Sequence, residues 1–124
     1  MPICPIFHAG REEIATAIYQ VEQSGWHQLT AEHITTVDAL CSQITAETVF
    51  CGEFVPSIAD RLREQLGQKA IILPPAAGMR RAAFLAELGL KRFKAGDYDD
   101  VVTLQPFYLR GPAITQPKHR WGKE

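Results

Sequence analysis

The hydrophobic period of this 124-residue chain changes once, near Thr35, and that change limits the folds open to it. Before it, apolar and β-branched residues come in short runs separated by turn residues. Ile3 to His8 is mostly apolar but carries Pro5, which lacks a ladder N–H and so suits an edge position or a strand end. Gly10-Arg11-Glu12-Glu13 reads as a turn. Ile14 to Val21 is rich in β-branched and aromatic residues, with apolar side chains on both faces, the pattern of a better buried strand. Ser24-Gly25 turns the chain again, and Trp26 to Thr30 alternates large apolar with polar residues as a half-exposed strand does. Three strands joined by tight turns predict an antiparallel meander.

After Thr35 the helical period takes over. Val37, Leu40, Cys41 and Ile44 follow i, i+3, i+4, i+7, with a capping-box-like start at Thr35-Thr36-Val37-Asp38, so a first helix is predicted to about Ala46. Thr48 to Cys51, ended by Gly52, suits an interior parallel strand. Pro56 opens a second helix on which Ile58, Leu62 and Leu66 share a face, and Gly67 stops it. Ala70 to Leu73 repeats the buried-strand pattern until Pro74-Pro75. Met79 to Ala95 is the longest helical stretch and is apolar on more than one stripe, which predicts packing against two neighbours, with Gly89 marking a close backbone approach. Gly96 caps it, Asp97 to Asp100 forms a polar loop, and from Val101 onward Pro106, Pro112 and Pro117 indicate an extended tail.

The predicted order β-β-β-α-β-α-β-α is that of the ribonuclease H-like fold found in the actin-like ATPase superfamily, an analogy that constrains fold and not chemistry. We therefore expect an α/β lobe over residues 1–100 and an extended tail over 101–124. Composition fits one domain: 46% of residues are hydrophobic and 22% charged, enough apolar material to bury a core. Cys4, Cys41 and Cys51 are odd in number and form no CxxC pair, which argues against a disulfide scaffold and for a reducing, cytoplasmic setting. No run approaches the roughly 18 apolar residues of a membrane span, and the first residues lack the basic and apolar regions of a signal peptide. Net charge is −1, but eight acids face two bases from Met1 to Leu62 and six acids face eleven bases from Arg63 to Glu124.

Reactive constellations are sparse. His8 ends the first strand, and Glu12 and Glu13 are adjacent, so on a strand they would point to opposite faces and would not form a paired-carboxylate site. Asp97, Asp99 and Asp100 lack the glycine and distal glutamate of a calcium loop. His8, His27, His33 and His119 show no zinc-type spacing. The cysteines lie in apolar segments where thiols are inert, and no glycine-rich phosphate loop occurs. No catalytic, cofactor-binding or metal residue is assigned. What stands out is Leu104 to Thr115, dense in aromatics and aliphatics and flanked by prolines, which resembles a strip laid on a groove or a sheet edge. Extended, it would turn Phe107 and Leu109 to one side and Tyr108 and Arg110 to the other, with Arg110 reaching an acidic group of the N-terminal half or a helix C-terminus. These four residues are the candidates for tail docking or partner contact.

Several of these segments resemble one family. Ile6-Phe7-His8-Ala9-Gly10-Arg11-Glu12-Glu13-Ile14, Gly25-Trp26 with Leu29-Thr30, Ala86-Glu87-Leu88-Gly89 with Gly96, and above all Pro106-Phe107-Tyr108-Leu109-Arg110 are similar, in order, to the C-terminal half of the TsaB (YeaZ) family of bacterial tRNA threonylcarbamoyladenosine biosynthesis proteins. Such proteins are glycoprotease-like, two-lobed members of the actin-like superfamily. The family's N-terminal lobe carries an Ile-Asp-Thr-Ser-type strand and a Gly-Pro-Gly-Ser-Phe-Thr-Gly segment, both missing here, so the resemblance implies the second lobe alone. His8 stands where many members have Asp, which removes the basis for a metal or polar role there.

The resemblance implies a non-catalytic scaffold acting with a TsaD-type catalytic subunit and a TsaE-type ATPase in the transfer of a threonylcarbamoyl group to adenosine 37 of tRNA, with tRNA met only indirectly. It also implies no cofactor of its own, weak binding of adenine nucleotide by a single lobe, and self-association through surface that the other lobe covers. The competing expectation is a metal-dependent hydrolase, either a glycoprotease-like peptidase or a ribonuclease H-type nuclease, working through His8 and Glu12.

Overall fold

A computed structural model describes residues 1–111. Residues 112–124 of the expected tail, with Pro112, Pro117, His119 and the end of the strip at Thr115, lie outside the described residues.

Three long strands form the meander: β1 (Pro2–Gly10), β2 (Glu13–Glu22) and β3 (Gly25–Thr36). Helix α1 (Val37–Gln43), strand β4 (Thr48–Cys51), helix α2 (Val55–Leu66), strand β5 (Ala70–Ile72) and helix α3 (Ala82–Lys94) follow, with single 3₁₀ turns at Gly67–Lys69 and Pro75–Gly78. The five strands make one mixed sheet in the order β3-β2-β1-β4-β5, antiparallel through β1, β2 and β3 and parallel from β1 through β4 to β5.

Pro5 is a correction to the sequence reading, because β1 lies at the centre of the sheet and not at an edge. The missing N–H is tolerated because ladder pairing with β2 lapses between Ile3↔Tyr19 and Ile6↔Thr16. There the Thr16 hydroxyl donates to the Pro5 carbonyl at 2.8 Å, so a side chain replaces part of the ladder. Strand β3 runs past Thr30 to Thr36 because register shifts around Ile18 keep it paired with β2. Helix α1 starts one residue after its cap, Thr36, whose hydroxyl accepts the Ala39 N–H at 3.2 Å. It stops at Gln43, short of Ala46, because Ile44 turns extended to carry the chain toward β4 while its side chain stays in the core.

The core occupies one face of the sheet. Cys4 and Ile6 of β1, Ile14 and Ile18 of β2 and Phe50 of β4 pack beneath Val37, Leu40 and Cys41 of α1 and Val55, Ile58 and Leu62 of α2. Register places the alternate residues on the second face: Ile3 beside Tyr19 and Val49, Phe7 beside Ala15, Pro5 beside Cys51, and Val49 beside Ile71. Phe7 is exposed and the others are half-buried.

Helix α3 departs from expectation. It begins at Ala82, buries no residue, and has nothing within 4 Å of where a Cβ would sit on Gly89. The two neighbours implied by its apolar stripes are not found among the described residues. At its root, Gly78 packs against the backbone of Gly52 and Arg80 pairs with Glu53, the last ties to the lobe before the helix begins.

Candidate interaction surface

Two features meet at the carboxyl ends of β1 and β4, the edge of an open α/β sheet where ligand sites commonly form. The first is a cleft. Its floor is His8, stacked on Phe54 with ring centroids 4.7 Å apart. Its rim is the Arg11-Glu12 turn, where both residues hold positive φ (52° and 35°), the backbone of a type I′ hairpin turn without the usual Asn-Gly pair. Arg11, Glu12, Phe54 and Arg61 complete a space of about 470 Å³ around His8. On the other side of His8, Phe7, Glu53, Phe54 and Arg80 enclose about 260 Å³.

The charges of this cleft are largely committed. Arg61 forms a two-pronged pair with Asp38, Nε to Oδ1 at 3.1 Å and Nη2 to Oδ2 at 2.6 Å, and Gln65 joins it. These donors hold the Asp38 carboxyl below its ordinary range. Arg80 binds Glu53 in the same two-pronged way and lowers its pKa, while lying 5.6 Å from the centre of the Phe7 ring. No group of three or more His, Cys, Asp or Glu side chains placed to hold a metal occurs among the described residues. The thiols are poor nucleophiles: burial pushes Cys4 up to about 11, against an opposing hydrogen bond with Thr16, and burial also raises Cys41 and Cys51. His8 and Glu12 do line one cleft.

The second feature is an arm. The chain leaves the lobe at Arg80, continues through α3, turns at Gly96 and returns at Leu109 and Arg110. Arg92 ties the turn by pairing with both Asp97 and Asp99, which drives the Asp97 pKa down. Phe93 and Tyr98 stack edge to face at 5.4 Å. Asp100 caps the next turn by accepting the N–H of Val102 on its carboxylate and that of Leu104 on its carbonyl. The three aspartates are thus structural links of the arm.

Of the four tail candidates, Leu109 and Arg110 meet the lobe and Phe107 and Tyr108 do not. Leu109 lies over the second sheet face, lining a shallow apolar cavity of about 130 Å³ with Pro5, Phe7, Ala15 and Tyr19. Arg110 Nη2 donates to the Glu13 carboxylate. Phe107 and Tyr108 are 80% and 76% exposed. The strip is bent at Leu109 and Arg110 and forms no strand, so adjacent residues reach the lobe where a strand would send them to opposite sides. Sequence reading missed Arg80, Glu53 and Glu13 as anchors. Partners 27 and 97 residues apart leave no spacing to read.

A solved structure supplies the comparison. It is the crystal structure of "an uncharacterized protein with similarity to peptidase YEAZ from Pseudomonas aeruginosa", matched with a TM-score of 0.61 and 17% identity over 88% of this chain. The fold is YeaZ-like. The match covers 49% of that protein, so this chain spans about half the length of its YeaZ-like neighbour. No family model and no curated protein matches the chain. No helix among the described residues is long and apolar enough to cross a membrane.

Proposed function

We propose that this chain is a TsaB-like accessory lobe that works through protein contacts in the threonylcarbamoylation of tRNA adenosine 37, beside a TsaD-type catalytic subunit and a TsaE-type ATPase. The observation that carries the reading is the YeaZ-like fold over most of the chain, together with the tail Pro106-Phe107-Tyr108-Leu109-Arg110. The strand order β3-β2-β1-β4-β5 supports assigning the lobe to the ribonuclease H-like group of the actin-like superfamily. The arm adds a physical reason: a stiffened segment with an apolar exterior is an interaction element. In this reading the protein is cytoplasmic and its link to tRNA is indirect.

The test is a reaction reconstituted from TsaD-type and TsaE-type proteins, tRNA, a threonylcarbamoyl donor and ATP. Adding the chain should raise the yield of threonylcarbamoyladenosine and produce a complex visible by size-exclusion chromatography, and His8→Ala and Glu12→Gln should leave both unchanged. A chain that neither binds nor alters the yield refutes the proposal. Because His8 and Glu12 share a cleft, metal-dependent peptide and RNA cleavage are measured on the same variants. Cleavage that those substitutions abolish would favour a hydrolase.

A further inference from the structure

We draw no further inference here: the strongest candidate, the exposed apolar surface patch of the α3 arm formed by Phe84, Leu85, Leu88 and Phe93, carries nothing because nothing in the structure shows what covers it.

Discussion

Three backbones meet at Gly52. A Cβ there would run into the Ile6 carbonyl, the residue's φ is +118°, and a Cβ on Gly78 would sit 2.8 Å from the Gly52 carbonyl oxygen. Gly52→Ala should therefore destabilise the fold by more than about 1 kcal/mol, and urea denaturation should show a lowered midpoint at an unchanged slope. The same measurement separates two phenylalanines that look alike in the sequence. Phe50 is fully buried, so Phe50→Ala should cost about 3–5 kcal/mol. Phe107 projects into solvent, so Phe107→Ala should stay within about 0.5 kcal/mol, unless the chain is concentrated enough for a partner to cover it. Cys4 was legible as a buried thiol from its apolar neighbours. Its link to Thr16 was not, because the two meet only through the pairing of β1 with β2, in which Ile6 faces Thr16.

At the scale of elements, α1 and α2 are tied across 23 residues by Asp38 and Arg61. The Asp38 carboxyl is lowered in the folded state, so the pair contributes stability above the unfolded value near 3.8, and that contribution is lost as pH falls through the folded value. Melting temperature followed from pH 5 downward should drop less steeply for Asp38→Asn than for the parent. The β1-β2 turn offers the opposite change. Arg11 and Glu12 hold left-handed conformations that cost side-chain-bearing residues roughly 1–2 kcal/mol each. Replacing both by Asn-Gly should raise stability by about that order, read from the same urea midpoints. Alternation and helical period were enough to find all five strands and both core helices, because β1, β2, β4, β5, α1 and α2 each show a face to one core, whereas β3, which adds no residue to that core, was read from its alternation alone and only as far as Thr30. They failed for α3. Its stripes predicted packing against two neighbours and a close approach at Gly89, and the structure shows neither among the described residues, because an apolar pattern alone does not say which surface, if any, meets it. Pro5 misled for a related reason, since the Thr16 hydroxyl that compensates it belongs to another strand.

Over the whole molecule, the lobe and the arm should respond separately to attack. At high dilution, trypsin should cut first among Arg81, Lys91, Arg92 and Lys94, leaving residues 1–78 folded, because α3 buries nothing. Mass spectrometry over a time course checks this, and early cleavage at Arg61 or Arg63 would contradict it. The arm is also a closed loop of polymer. Joining the ends of some 30 flexible residues costs about 3 kcal/mol in lost freedom, while an exposed ion pair such as Arg110 with Glu13 returns at most about 1 kcal/mol. Closure is economical only because α3 and the links made by Arg92 and Asp100 remove most of the slack before the ends meet. Arg92 thus acts at a distance: without it, the chain between α3 and Leu109 regains its freedom, and the tail should detach from Glu13 although neither anchor has been altered.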